Sequence, residues 1–270
     1  MIVGALLALL GFALGVFGTL IGAGGGFLLV PILLLLYPHD TPDVLTSISL
    51  AVVCVNAISG SAAYARMGRI DYKSGSLFAA ATVPGSIVGA LTTSLIPRHA
   101  FNLILGAVVL VAAVYLFIKP TPTITAGRRW PDGWLRVVTE RSGHRHEYRY
   151  PAILGVLISL VVGFLSSLLG IGGGIIHVPV LVNLFDFPVH IATATSHFTL
   201  AFMAAAGTGA HWFAGSLQAG RVRAISLAVG VVPGAQLGAK LSNKFRGPGI
   251  IRSLAVALAV VGVRLLIGVV

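Results

Sequence analysis

The sequence predicts an all-α integral membrane protein built from two related halves, and three observations carry that reading. AVILMFWYC residues make up 57% of the 270-residue chain and only 9% of residues are charged. A typical soluble domain is roughly 25% charged, and a soluble chain of this length could not cover its surface with so few charges. Uncharged stretches recur at the length of roughly 20 residues that a helix needs to cross a bilayer. Finally, three short blocks appear twice, in the same order.

The first stretch, Met1 to Pro38, contains one spanning length at 2–21, a glycine break, and a short piece at 26–36. It has no Lys or Arg to form the basic n-region of a signal peptide, and its apolar run is longer than an h-region, so the first helix is expected to stay in the mature protein. Further uncharged stretches cover 44–65, 74–97 and 99–118. The second half repeats the plan at 151–169, a second glycine break, 174–185, 190–213, 224–239 and 253–269, the last interrupted by Arg264. These are ten helical segments, of which the second and seventh are too short to cross upright. Between the halves lies a polar insert that opens on Pro120-Thr121-Pro122. Two short alternating runs flank Ser142-Gly143, which reads as a small β-hairpin. The expected divisions are a first membrane repeat, 1–118, the insert, 119–150, and a second repeat, 151–270. The single cysteine, Cys54, can form no internal disulfide.

The repeat is the strongest signal. Gly22-Ala-Gly-Gly-Gly-Phe-Leu-Leu-Val-Pro31 matches Gly170-Ile-Gly-Gly-Gly-Ile-Ile-His-Val-Pro179 at six of ten positions, offset by 148. Thr46-Ser47 recurs as Thr195-Ser196, and Val83-Pro-Gly-Ser-Ile-Val-Gly-Ala90 recurs as Val232-Pro-Gly-Ala-Gln-Leu-Gly-Ala239, both offset by 149. Single glycine-rich matches arise by chance in membrane helices. Three in order at a nearly constant offset mark a duplication.

The formal charge of +11 comes from 18 Lys and Arg against 7 Asp and Glu. The cations cluster in a few connections instead of forming a nucleic-acid patch. Fourteen fall on the face that holds the 3–4, 5–6 and 9–10 connections, and three, Arg98, Arg221 and Arg223, on the other. The positive-inside rule then puts the insert in the cytoplasm and both termini outside the cell membrane. Each half contributes five segments, so the second enters the membrane from the opposite side and the repeats are inverted. Inverted repeats with broken helices at matching positions are a common plan of secondary transporters.

Gly24, Gly25, Gly26 and their counterparts Gly172, Gly173, Gly174 interrupt apolar helices. A broken helix in lipid leaves backbone groups that protein, water or ligand must satisfy. The segment after each break presents free N–H groups and a positive dipole end, which suits an anion without any Lys or Arg. A lone glycine pair would be read as close packing; a repeated break followed by a short helix and Val-Pro points to a site. Thr46, Ser47 and Asn56 on segment 3, and Thr195 and Ser196 on segment 8, add hydroxyl and amide donors beside the breaks. The alternative for each hydroxyl is a bond to its own helix one turn back. No Asp or Glu lies well inside a segment, which argues against a carboxylate proton relay. His177, His197 and His211 fall in apolar segments of the second half only, opposite Leu29, Ile48 and Ala62. Intramembrane ionisable residues are site candidates, and a histidine can carry positive charge or a coupled proton near neutral pH. The spacing of His197 and His211, about four turns of one helix, disfavours a metal site, and nothing calls for a cofactor. Pro84-Gly85 and Pro233-Gly234 read as matched hinges or static bends.

At these glycine blocks, Thr-Ser pairs and Val-Pro-Gly blocks the chain resembles the TauE/SafE sulfite exporter family, also called the toluene sulfonate uptake permeases. The likeness covers essentially the whole membrane part and leaves the insert unmatched. The resemblance implies transport of a small sulfur-containing anion of the sulfite, thiosulfate, sulfonate or sulfoacetate type; import and export both occur in the family. The expected site residues are Gly24, Gly25, Gly26, Thr46, Ser47, Asn56, Gly172, Gly173, Gly174, His177, Thr195, Ser196 and His197. An anion channel on the same scaffold, or a carrier of a non-sulfur organic anion, is the alternative. An intramembrane protease is disfavoured, because Asn56-Ala57-Ile58-Ser59-Gly60 departs from Gly-x-Ser-Gly.

Overall fold

The structure, a computed structural model, describes residues 2–118, 130–242 and 248–267. The Pro120-Thr121-Pro122 turn and the cations Lys119, Arg128, Arg129, Lys244 and Arg246 lie outside the described residues, as does the side chain of Arg252. In chain order the elements are α1 (Ile2–Ile21), α2 (Gly26–Leu36), α3 (Pro42–Met67), α4 (Tyr72–Thr93), α5 (Arg98–Ile118), β1 (Trp134–Thr139), β2 (Arg145–Tyr150), α6 (Ala152–Leu169), α7 (Gly174–Asn183), α8 (Val189–Phe213), α9 (Ser216–Leu241) and α10 (Pro248–Leu266). The protein is mostly helical. Six helices, α1, α3, α4, α5, α6 and α9, are long and apolar enough to cross a membrane, and α2 and α7 are short apolar helices. At 25 residues α8 is long enough, but it carries Thr193, Thr195, Ser196, His197 and Thr199, all buried. Its polarity belongs to the interior of the bundle.

Local chemistry sets the helix ends. Pro42, at the start of α3, needs no hydrogen-bond acceptor for a backbone N–H, and Gly68 ends that helix in the left-handed conformation with φ 71. Asp71 caps α4 by accepting from the Ser74 N–H. The ninth segment, expected over 224–239, starts at Ser216 instead. Its first turns hold Arg221 and Arg223, whose long stems let the charge leave the helix. Arg223 pairs with Asp40 and stacks over the Tyr37 ring at 4.3 Å.

The helices pack in matched pairs. α1 lies along α9 and α6 along α4; α3 touches α9 and α8, while α8 touches α4 and α3; α2 leans on α3 and α7 on α8; α5 and α10 pack on each other. With segment n of the first half set against segment n + 5 of the second, each of these contacts has its counterpart. The Val-Pro-Gly blocks make the two longest contacts. Gly230, Gly234 and Gly238 of α9 sit against the backbone carbonyls of Ala8, Phe12 and Val16, and Gly85 and Gly89 of α4 against those of Leu160 and Phe164. Any side chain there would overlap main chain, so small residues draw these helices together. Pro84 and Pro233 lie within continuous helices.

The insert forms the two-stranded antiparallel hairpin, with Trp134 opposite Tyr150 and Thr139 opposite Arg145. Its turn uses Gly143 at φ 87. One face buries Val138, Tyr148 and Tyr150 against Phe78 of α4 and against Phe185 and Phe187 in the α7–α8 connection. The hairpin, the α3–α4 connection and the α7–α8 connection thus share one end of the bundle. The α2–α3 and α4–α5 connections share the other, where Arg98 donates to the Asp40 carbonyl at 2.5 Å.

Candidate functional site

The two glycine breaks touch each other at the centre of the bundle. A side chain on Gly26 would meet the Gly170 carbonyl and Ile171, and one on Gly174 would meet the Gly22 carbonyl and Ala23. The contact is reciprocal residue for residue under the repeat offset. Its level is set by Gly24, which packs on Val53 and Leu200, close to the midpoints of α3 and α8. From here α2 runs toward the end that carries Asp40, and α7 toward the hairpin end. The N-termini of both short helices therefore start deep in the bundle, at one place.

The surroundings of the two breaks differ. At the first, the Asn56 Nδ2 donates to the Gly24 carbonyl at 2.8 Å, Thr19 Oγ1 donates to Asn56 Oδ1 at 2.9 Å, and His197 Nε2 lies 3.3 Å from that same hydroxyl. Tyr64 donates to the Thr19 carbonyl at 2.7 Å and meets the His197 ring edge to face. This is a filled polar cluster in which side chains replace missing helix hydrogen bonds. At the second, Ser49 donates to the Gly170 carbonyl at 2.6 Å, and the N-terminus of α7 borders a cavity. Thr82, Val162, Gly173, Gly174, His177 and Ser196, with Thr199, Leu200 and Met203, form its walls. The space holds about one water molecule. Ser166, fully buried beside Gly173, has no hydrogen-bond partner for its hydroxyl among the described residues. His177 shares a hydrogen bond with Ser159 at 3.3 Å and faces Phe78 edge-on.

The residues singled out from sequence thus fall into groups. Gly26, Gly172 and Gly174 make the contacts between the breaks, while Gly24 packs on Val53 and Leu200, Gly25 on Leu14, and Gly173 on Ser166, Val162 and Met203. Asn56 and His197 join at the first break, and His177 and Ser196 at the cavity by the second. Ser196 also reaches toward the Gly22 carbonyl at 3.5 Å. Thr46 and Ser47 bond carbonyls of their own helix one turn back, Asp43 and Val44 respectively, and Thr46 lies 3.5 Å from His211. Thr195 turns away from the breaks and accepts the Asp71 backbone N–H at 3.0 Å.

Asp71 itself was missed by sequence reading. It stands just outside segment 4, in a connection between uncharged stretches, yet it is 1% exposed. Its carboxylate accepts from Arg136 Nε at 3.0 Å and Nη2 at 2.5 Å, from Tyr148 at 2.8 Å and from Ser74 at 2.5 Å. Burial alone would raise its pKa; the Arg136, Ser74 and Tyr148 bonds outweigh that and hold it below the ordinary carboxylate value. The clue available in sequence was the unpaired basic strand of the insert, which has to find acids somewhere.

A bundle of long apolar helices wrapped round two short ones, with polar groups kept inside, is that of a multi-pass membrane protein. The family model for the sulfite exporter TauE/SafE matches residues 7–265, and the chain belongs to that family. It is 32% identical to the probable membrane transporter protein YunE of Bacillus subtilis over 97% of this chain and 96% of the relative. A probable membrane transporter protein of Methanocaldococcus jannaschii is 25% identical over 97% and 95%. The probable membrane transporter protein YdhB of Bacillus subtilis is 24% identical over 88% and 90%. No solved structure matches.

Proposed function

We propose that the chain is a secondary transporter that moves a small sulfur-containing anion across the cell membrane by alternating access, with its site where the two glycine breaks meet between two inverted repeats. One observation carries the reading: two helix N-termini start in mid-bundle, back to back, with their first residues bare of side chains. Such ends stabilise negative charge by backbone N–H groups and dipole, and a dehydrated oxyanion needs donors of that kind. His177 and Ser196, with Thr82 and Thr199 beside them, supply polar side chains at the α7 end. The cavity there takes no more than about one water, so binding requires the walls to part, as a carrier does and an open channel does not. The matched helix contacts support inverted repeats. The distribution of Lys and Arg supports a cytoplasmic hairpin with both termini outside. The sulfur chemistry of the cargo rests on family membership.

Purified protein in liposomes tests this with sulfite, thiosulfate, sulfate, sulfonates and carboxylates, with and without a pH gradient. Saturable uptake of one sulfur anion with counterflow is expected, and a response to the pH gradient if a proton is coupled. Absence of a response to every sulfur anion would remove the cargo assignment. Non-saturating flux without counterflow would make the protein a channel.

A further inference from the structure

We infer that the hairpin of the insert is a gate over the route from its own end of the bundle to the His177 cavity, with Asp71 as its latch.

Asp71 joins three parts of the chain. Its backbone N–H goes to Thr195 of α8, in the second half. Its carboxylate caps α4, in the first half, through Ser74. The same carboxylate holds both strands of the hairpin, β1 through the two Arg136 bonds and β2 through Tyr148. Further contacts tie the hairpin to both halves. On the first-half side Arg69 pairs with Glu140 at 2.9 Å and the Arg141 N–H donates to the Met67 carbonyl. On the second-half side Trp130 Nε1 donates to the Leu184 carbonyl at 2.8 Å, and Tyr148 lies on Phe187 with ring centroids 4.2 Å apart. The hairpin therefore bridges the α3–α4 connection of the first half and the α7–α8 connection of the second.

It also covers something specific. Tyr150 donates to Ser74 Oγ at 2.8 Å and packs its ring on Phe78, 5.6 Å between centroids. Phe78 in turn meets His177 at 5.4 Å, and His177 lines the cavity. A continuous aromatic column thus runs from hairpin to cavity, reaching Phe78 about two turns of α4 beyond the Asp71 cap. At the opposite end of the bundle Arg223 pairs with Asp40 and stacks on Tyr37, Arg98 donates to the Asp40 carbonyl, and Thr46 lies by His211.

A carboxylate held by a bidentate guanidinium, a phenol and a hydroxyl is stable while all partners stay and costly to leave with one gone. That is the behaviour of a latch with two states, closed with every partner made or open with each partner in water. The inference rests on the alternating-access reading, so the test separates the two. The full chain, with Cys54→Ser to remove its only thiol and Ser196→Cys as reporter, is probed in oriented vesicles with a membrane-impermeant thiol reagent. Asp71→Asn and Arg136→Gln are each expected to speed labelling from the hairpin side by roughly tenfold and to leave the opposite side unchanged. Tyr148→Phe is expected to give roughly threefold. Unchanged labelling from the hairpin side in both Asp71→Asn and Arg136→Gln overturns the gate. Should those variants not fold, a Trp130→Cys/Leu184→Cys pair in the Cys54→Ser chain replaces them. Cross-linking it is expected to stop transport reversibly, and full transport while cross-linked overturns the gate. Faster labelling in a protein that moves no anion upholds the gate and removes the transport reading.

Discussion

The two glycine breaks share a sequence pattern and a backbone contact, but their neighbours are of opposite kinds. Around the start of α7 the wall is built from Val162, His177, Thr199 and Thr82. The residues at the matching offsets around α2 are Leu14, Leu29, Leu50 and Val231, each no more than 4% exposed. The first break thus meets apolar side chains on this face, while on the opposite face Asn56 closes the Gly24 carbonyl, backed by Thr19 and His197. The other keeps a small space edged with polar side chains. The cavity described here borders the start of α7, and its polar wall residues His177, Thr199 and Thr82 stand where α2 has apolar ones. On the proposed reading, the start of α7 supplies the polar specificity and the start of α2 closes the site from behind.

That contrast can be broken most severely where the two breaks touch. Gly174→Val and Gly26→Val both force a side chain into main chain, and each is expected to destabilise by about 3 kcal/mol or more and lower the thermal midpoint in detergent. Equal effects would affirm the reciprocal contact; a neutral result at either would deny it. Asn56→Leu comes next. It strips the Gly24 carbonyl and the Thr19 hydroxyl of a partner at the filled break, with an expected cost of about 1–3 kcal/mol in stability. His177→Leu makes the second break resemble the first. Its expected effect is on function: roughly tenfold weaker anion affinity with little change in thermal midpoint, read by equilibrium binding alongside a melting curve. The smallest effect concerns the hairpin latch and pH. A carboxylate whose pKa falls on folding contributes stability above its unfolded value and loses it as pH drops through the folded one. The Asp71 latch should therefore hold from neutral pH down to about 3.8, the ordinary value, and fail only below. Thiol labelling of the Ser196→Cys reporter from the hairpin side across that range, each rate divided by that of a free thiol at the same pH because the thiolate is the reacting form, checks it, with no relative acceleration expected until strongly acid pH.

The architecture was legible in the sequence because a bilayer imposes a length. Uncharged runs located the helices to within a few residues, and Ser142-Gly143 placed the hairpin turn. The exception is α9, where counting charges cut eight residues from the start. Arg221 and Arg223 reach out along their stems, so charge marked the reach of side chains and not the end of the helix. What could not be read was the partner of each polar group. Thr46 and Ser47 repeat as Thr195 and Ser196, yet the first pair turns back on its own helix while Thr195 holds a loop and Ser196 lines the cavity. Equal residues at equal offsets took different bonds because their neighbours had diverged. Asp71 was hidden for the same reason: its burial depends on a hairpin more than sixty residues away, which has no counterpart in the repeat.

The account stands or falls on where the anion sits. Equilibrium binding of the transported sulfur oxyanion to purified protein, compared between the unmodified chain and His177→Leu, tests it most directly. The expected result is clear binding by the unmodified chain and loss of roughly tenfold in affinity in the variant, at unchanged thermal stability. Equal affinity in the two would contradict a site at the start of α7 and, with it, the division of labour between the two breaks.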